Sequence, residues 1–280
     1  MTWNIVCDSS CDLISAELIP GQVRLTVVPM VITVEETDYI DNEGLDPAAL
    51  LAHMSAARGP SCTACPSPEA FAEAFRQADR SLCFTISSQL SGTFQAACAA
   101  RDLVLEEDPE KEIFVLDGRS TAGSMVLLLR RARALIEAGE DSFDRICQKL
   151  QDCRDSLRTV FTLKTFDNLV KNGRMRPLLG SVLHTLGIHV IAVGTDRGTI
   201  QVKDKARGAE RTLRAMLGQM EEQKDCRGAE VVISHCRNPE GAAALREAIL
   251  RKLPVKSVHV QPCRGLTTYY AMDQGLIVVF

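Results

Sequence analysis

Through the first 157 residues, short apolar runs alternate with longer segments that have helical periodicity. The runs at residues 3–7, 82–86 and 112–117 are short enough to be buried strands, and the segments between them carry apolar residues at helical spacing. Strands that alternate with helices are joined by right-handed crossovers, which place the strands parallel in one sheet. We therefore predict an α/β fold whose first domain, residues 1–157, is a Rossmann-like parallel sheet with flanking helices.

The second half of the chain has a different pattern. Residues 188–193 and 200–202 are apolar runs separated by a Thr-Asp-Arg-Gly-Thr turn, which predicts a β-hairpin, and residues 205–223 predict a long polar-faced helix. Residues 230–252 again predict a strand followed by a helix. This mixture of hairpin and crossover predicts a second α/β domain with a mixed sheet at residues 158–280, and two domains agree with the length of 280 residues.

Two local predictions concern irregular parts of the first domain. Asp12 is a plausible N-cap, so residues 13–18 are predicted to form a short helical turn. Residues 59–69 contain one glycine and three prolines, and that composition predicts a loop.

Composition excludes several classes of function. The net charge is −4, so the chain lacks the basic footprint of a nucleic-acid-binding protein, and it has no run of 18 apolar residues that would indicate a membrane span. The eleven cysteines are scattered, which favours reduced thiols and a cytoplasmic location. We interpret the spacing of Cys62 and Cys65 as chance. Without Walker, GxGxxG, HxxxH or HxH patterns, neither a cofactor nor a metal site is predicted.

Hydroxyl side chains recur where predicted strands end. The richest loop, residues 86–97, has four hydroxyl residues and Gly92 between a strand and a helix, which is typical either of an anion site or of an ordinary capped turn. Because ligands of parallel sheets bind at the carboxyl ends of strands, the recurrence favours an anion site. The loops are centred on Ser9, Thr63, Ser91 and Ser120. Arg174, which follows a helix that ends in glycine, is the best candidate for a cation beside them.

Apolar side chains lie within or just after these polar loops, at Leu90, Phe94, Val126 and Leu127. Each can simply belong to the core. If they line a tunnel instead, the ligand has an anionic head and an apolar tail.

An alternative function is a serine hydrolase. Gly118, Ser120 and Ala122 form a GxSxA string after a predicted strand, which is similar to a nucleophile elbow with its last glycine replaced. Asp204 and His235 follow in the chain order of a Ser–Asp–His triad. The string is common in proteins, and the chain has no upstream HGGG-type loop.

Taken together, several strings resemble the DegV family of bacterial fatty-acid-binding proteins. The central string, Ile-Ser-Ser-Gln-Leu-Ser-Gly-Thr-Phe-Gln at residues 86–95, resembles the family's I-S-S-x-L-S-G-T-Y-Q. Other matches extend the resemblance over nearly the whole chain: residues 8–13 (family D-S-T/S-x-D-L), 63–68 (T-S-Q-P-S-P), 115–117 and 171–174 (K-G-G-R).

The resemblance implies a two-domain protein that buries a long-chain fatty acid, is not an enzyme itself, and in some bacteria presents the fatty acid to a separate kinase. By position, Thr63, Ser91 and the Gly92 backbone resemble the carboxylate contacts, and Arg174 resembles a cation near the head group. The family's later G-x-H-x-G-P-G segment is replaced at residues 265–271, where Thr267 or Thr268 takes the place of the histidine. This departure predicts that lipid binding is kept and that transfer by the kinase is weakened.

Overall fold

The computed structural model describes residues 2–140, 142–176 and 188–280. The strands in these ranges are β1 (Trp3–Asp8), β2 (Ala16–Ile19), β3 (Val23–Val28), β4 (Val31–Val34), β5 (Thr37–Ile40), β6 (Ser61–Ala64), β7 (Arg80–Thr85), β8 (Glu112–Asp117), β9 (Thr159–Leu163), β10 (Ile188–Gly194), β11 (Ile200–Arg207), β12 (Glu230–His235), β13 (Ser257–Pro262) and β14 (Leu276–Val279). The α-helices are α1 (Pro47–Ala56), α2 (Pro68–Arg76), α3 (Thr93–Glu107), α4 (Gly123–Glu137), α5 (Phe143–Ser156), α6 (Asp167–Lys171), α7 (Ala209–Gln223), α8 (Pro239–Lys252) and α9 (Gly265–Ala271).

The first sheet has five strands in the order β2-β3-β1-β7-β8. Strands β3, β1, β7 and β8 are parallel, and β2 pairs antiparallel with β3 at the edge. The mostly parallel sheet with helices between its strands confirms the predicted fold class. The predicted helical turn at residues 13–18 is wrong, because residues 16–19 pair with β3 as a strand. Asp12, with a φ of 60°, instead ends a 3-10 turn at Ser9–Cys11.

A small antiparallel sheet, in the order β5-β4-β6, is inserted between β3 and β7. The stretch 61–64 is therefore a strand, contrary to the predicted loop, because it pairs with β4 residue by residue. The pairing sets Thr63 opposite Ile32.

The second sheet has six strands in the order β11-β10-β9-β14-β12-β13. Only β12 and β13 are parallel among these described pairs, so the sheet is mixed, as predicted. The hairpin is also confirmed, although β11 runs to Arg207 and α7 begins at Ala209 rather than at residue 205. The division into domains at residue 157 stays a prediction. In the sequence, residue 157 lies after β8 of the first sheet and just before β9 of the second.

Helix α4 lies between the two large sheets. One of its faces places Met125 and Leu128 in the apolar cluster of the first sheet, and another places Val126 and Leu127 in a cluster with Val279 of the second sheet. A side chain at Gly123 would come within 2.8 Å of Val232, so the start of the helix approaches β12 too closely for a larger residue. None of the helices that the structure describes has the length and apolar character needed to cross a membrane.

The tip of the β10–β11 hairpin contacts the first sheet at the end of β7. The Ser87 hydroxyl donates to the Gly198 carbonyl over 2.8 Å, and Gly198 has a φ of +82°. A Cβ atom on this glycine would lie 2.2 Å from Ser87 Oγ and 3.1 Å from Arg119 Cα. Only glycine fits this turn, and the turn fastens the second half of the chain onto the loop that follows β7.

Replacement of Gly198 tests this contact. Gly198→Ala should lower the free energy of unfolding by roughly 2–5 kcal/mol, since left-handed strain of about 1–2 kcal/mol adds to a clash of about 1–3 kcal/mol. Gly139→Ala is the matched control, because Gly139 has a φ of +73° with no atom within 4 Å of the added Cβ. Urea denaturation of both variants measures the difference. An equal loss of unfolding free energy in the two variants would show that the hairpin tip does not depend on the close approach of Gly198 to Ser87.

Candidate functional site

A cavity lies where the two large sheets, the small sheet and α9 meet. It encloses about 870 Å³ of space between atoms, part of it open to solvent. Its wall includes residues from the loops after β7 and β8 and from the hairpin tip. The cavity is therefore at the carboxyl end of the parallel strands, where α/β sheets bind ligands.

Most of the wall is apolar. Side chains from both halves of the chain contribute, which makes the cavity a seam between them rather than a pocket within one. The apolar members are Met30, Ile86, Leu90, Phe161, Leu163, Leu169, Ile200, Leu266, Tyr270, Ala271 and Ile277.

Three of the predicted polar residues, Thr63, Ser91 and Arg174, lie on this wall. The Ser91 hydroxyl is 2.8 Å from Thr93 Oγ1, and Arg174 Nε donates to the Leu90 carbonyl over 3.0 Å. The Arg174 guanidinium is thus anchored beside the hydroxyl loop by a backbone contact. Hydroxyl donors next to a guanidinium form an arrangement that suits a carboxylate.

A second pair of hydroxyls lies on the same wall. Ser120 Oγ and Thr159 Oγ1 are 2.7 Å apart, and Ser120 follows β8 while Thr159 begins β9. The pair therefore joins the two halves of the chain at the cavity.

Helix α9 supplies Thr267, whose side chain lines the cavity. Thr267 is 4% exposed, and its hydroxyl lies beside the buried Asp12 carboxyl, whose pKa it lowers. Thr268 does not line the cavity, and its Oγ1 accepts from Cys236 Sγ over 3.7 Å. Of the two residues predicted for the histidine position, only Thr267 presents a buried hydroxyl at the wall.

Two buried carboxyl groups hold the start of α9. Asp41 accepts from the backbone N–H groups of Gly265 and Leu266 over 3.0 and 2.8 Å. Asp12 accepts from the backbone N–H of Arg264 over 2.7 Å. Sequence reasoning missed Asp41, because nothing in the local pattern around it indicates a partner far along the chain.

Burial changes the acidity of these groups. It raises the pKa of Asp12 to about 8, against the opposing effect of the Arg264 N–H, and it raises the pKa of Asp41 as well. Asp8, which accepts from the N–H of Ile86, has its pKa raised to about 6 by burial. Asp12 is therefore protonated near neutral pH in the folded protein.

Comparison with known proteins identifies the family. The model of the DegV family, described as a family of uncharacterised proteins, matches residues 2–271. The chain belongs to the DegV family. A DegV domain-containing protein from Streptococcus pyogenes serotype M1 is 33% identical over 278 residues, which are 99% of this chain and 99% of the relative.

Two solved structures of DegV relatives have the same fold over the whole chain. The fatty acid kinase (Fak) B3 protein of Streptococcus pneumoniae, loaded with linoleic acid, has a TM-score of 0.95 at 30% identity, with 100% of this chain and 99% of that chain covered. A DegV family protein from Eubacterium eligens, loaded with heptadecanoic acid, has a TM-score of 0.92 at 30% identity, with 99% of each chain covered.

The structure of this DegV protein brings together only part of the predicted site. Six of the twelve predicted residues line the cavity: Thr63, Leu90, Ser91, Ser120, Arg174 and Thr267. Ser9 lies elsewhere, where its hydroxyl accepts from the Met30 N–H over 3.1 Å.

Four other predicted positions also fall outside the wall. Gly92 is exposed and precedes α3. Phe94 packs in the cluster that contains Phe71, on the side of the first sheet opposite to α4. Val126 and Leu127 pack in the apolar cluster between α4 and the second sheet, as expected if they belong to the core.

The triad of the hydrolase alternative is not assembled in this DegV protein. The Ser120 hydroxyl is paired with Thr159, whereas His235 Nδ1 accepts from the N–H of Asn238 at the far end of β12. No histidine is among the described residues of the cavity wall. The part of the chain that the structure describes also has no group of three or more histidine, cysteine, aspartate or glutamate side chains placed to hold a metal ion.

The buried Asp12 predicts a pH dependence of stability. Its pKa in the folded protein, about 8, exceeds the usual value of 3.8, so the folded state binds the extra proton between these values. The free energy of unfolding should therefore fall as pH rises toward 8. Asp12→Asn cannot ionise and keeps an acceptor for the Arg264 N–H. In this variant the free energy of unfolding should no longer fall between pH 6 and 8, a range that lies above the pKa of Asp8.

Urea denaturation from pH 5 to 9 measures the effect of Asp12→Asn. Asp38→Asn, which removes an exposed carboxylate, is the control and should follow the wild type. An identical slope between pH 6 and 8 for Asp12→Asn and the wild type would contradict the assignment of this dependence to Asp12.

Proposed function

We propose that this protein binds one long-chain fatty acid in the cavity. Thr63, Ser91 and Arg174 hold the carboxylate, and the apolar wall surrounds the tail. The observation that carries the proposal is the group of hydroxyls beside the Arg174 guanidinium on a wall whose exposed surface is mostly apolar. Two relatives with 30% identity and TM-scores above 0.9, loaded with linoleic and heptadecanoic acids, support it.

The energy of tail burial fits the proposal. A tail with about 14 methylenes, at ~0.8 kcal/mol each, gives on the order of 11 kcal/mol before the cost of ordering is subtracted. The head group then needs only fixed donors. Neither a nucleophile nor a metal has a part in such binding, so the protein acts as a carrier without a reaction of its own and without a cofactor.

We further propose that the carrier presents the carboxylate to a fatty acid kinase. The support is the likeness to the Streptococcus pneumoniae fatty acid kinase B3 protein over the full length of the chain. We place the carrier in the cytoplasm, in agreement with its eleven free cysteines, which suit a reducing compartment.

Loss of a head-group hydroxyl tests the binding proposal. Ser91→Ala and Thr63→Val should each weaken binding of palmitate by roughly 1.5–3 kcal/mol, the value of a hydrogen bond to a charged group. Isothermal titration calorimetry measures the affinity. Ser142→Ala is the control, since it removes a hydroxyl that caps α5 away from the cavity. Unchanged affinity in both site variants would refute the assignment of the carboxylate contacts.

The kinase step has its own test at Thr267. A histidine can carry positive charge beside a carboxylate and move a proton near neutral pH, whereas a threonine is neutral with a single donor. Thr267→His should therefore raise the rate of acyl-phosphate formation several-fold in a coupled assay with a fatty acid kinase of the source organism.

The comparison of rates is made with each protein saturated with fatty acid, so that differences in binding do not enter. Thr268→His, at a position off the cavity wall, is the control and should give no gain. A wild-type protein that already supports rapid transfer, with no gain from Thr267→His, would show that the threonine does not limit the kinase reaction.

A further inference from the structure

We propose that Tyr270 is a positioning residue for the ligand carboxylate: its phenol fixes the Thr63 hydroxyl so that the Thr63 proton is directed to the head group. The inference rests on the proposed function and deepens it, because it adds a residue to the head-group site that neither the motif strings nor the predicted contacts contain.

The geometry places Tyr270 where this role requires. Its ring is part of the cavity wall, and its hydroxyl is 2.9 Å from Thr63 Oγ1. The ring packs against the apolar side chains of Met30, Ile86 and Leu266, while its oxygen contacts the Thr63 hydroxyl. Arg174 is near enough to act on the phenol electrostatically, which puts Tyr270, Thr63 and Arg174 in one polar group.

A second tyrosine docks the same helix on the same strand. The Tyr269 hydroxyl is 2.9 Å from Ser61 Oγ and accepts from Asn172 Nδ2 over 3.0 Å. Ser61 and Thr63 are two residues apart on β6 and so project from one face of it. The two tyrosine rings meet edge to face, with centroids 4.8 Å apart and an interplanar angle of 89°. Tyr270 is therefore fixed by both its ring and its neighbour, which limits the positions of its oxygen.

Counting protons gives the direction of the hydrogen bond. The two hydroxyls of Tyr270 and Thr63 carry two protons, and their mutual contact uses one. A phenol is more acidic than an aliphatic alcohol and is the better donor, so Tyr270 donates to Thr63. The Thr63 proton is then left for a third group, and hydrogen bonds joined in a chain strengthen one another. Burial raises the pKa of Tyr270, which keeps the phenol proton in place at neutral pH.

Tyr270→Phe removes the phenol oxygen and keeps the ring. Thr63 then loses the phenol that fixes its hydroxyl, and the affinity for palmitate should fall roughly threefold to tenfold, the value of one net hydrogen bond. The affinity for 1-hexadecanol, which has the same chain length without a carboxylate, should stay within twofold of the wild type. A merely structural role of Tyr270 would lower both affinities together.

The experiment is calorimetric titration of both ligands into the wild type, Tyr270→Phe, Thr63→Val and the double variant. If Tyr270 acts through Thr63, its loss has no further effect on palmitate binding once Thr63 is valine, and Thr63→Ser keeps most of the wild-type affinity. Tyr39→Phe is the matched control. The Tyr39 hydroxyl is 2.8 Å from His53 Nδ1, and neither residue lines the cavity. Thermal unfolding of each variant confirms that it is folded.

The outcomes separate the two proposals. A wild-type protein that binds no palmitate overturns the proposed function and this inference with it. A wild type that binds palmitate, with Tyr270→Phe equal to it or with equal losses for palmitate and 1-hexadecanol, overturns the role of Tyr270 alone. Additive losses in the double variant show that Tyr270 does not act through Thr63 and also overturn it.

Discussion

The cavity depends on where a short helix begins. Helix α9 has seven residues, too few to be stable alone. Its first backbone N–H groups are held by Asp41, a residue 224 positions earlier in the chain, and the preceding N–H is held by Asp12. Through these bonds the chain positions Thr267 and Tyr270 at the cavity. The carboxyl groups are buried, which costs free energy, and the cost is offset by the backbone bonds that they accept.

A second set of contacts joins the two halves around the same space. Helix α4 packs on both large sheets, and the hairpin tip meets the loop after β7 through Ser87 and Gly198. The cavity lies between these contacts. Its apolar side chains come from both halves. Among its hydroxyls, Ser91 and Ser120 come from loops that leave strands, whereas Thr63 belongs to β6 and Thr267 to α9. A wall that carries both hydroxyls and apolar side chains matches an amphiphile with a small charged head.

Much of the fold follows from local pattern, and the details that it misses have long-range causes. Alternating strands and helices predicted the parallel sheet, and the hydroxyl loops predicted Thr63, Ser91 and Ser120 at the cavity. The strand at residues 61–64 and the strand at residues 16–19 were missed because pairing with distant strands decides them. The choice between core and tunnel stays open for Phe94 in the sequence, because spacing shows that a residue is buried but not which side of the sheet buries it. Tyr270 was missed because its partner, Thr63, lies 207 residues away.

Native mass spectrometry tests the central claim most directly. The purified protein, after incubation with palmitate and removal of free lipid, should show the mass of the chain plus one fatty acid. Organic extraction of the same sample should release that fatty acid in about equal amount to the protein. A spectrum with the mass of the chain alone, and an extract without a long-chain fatty acid, would contradict the account.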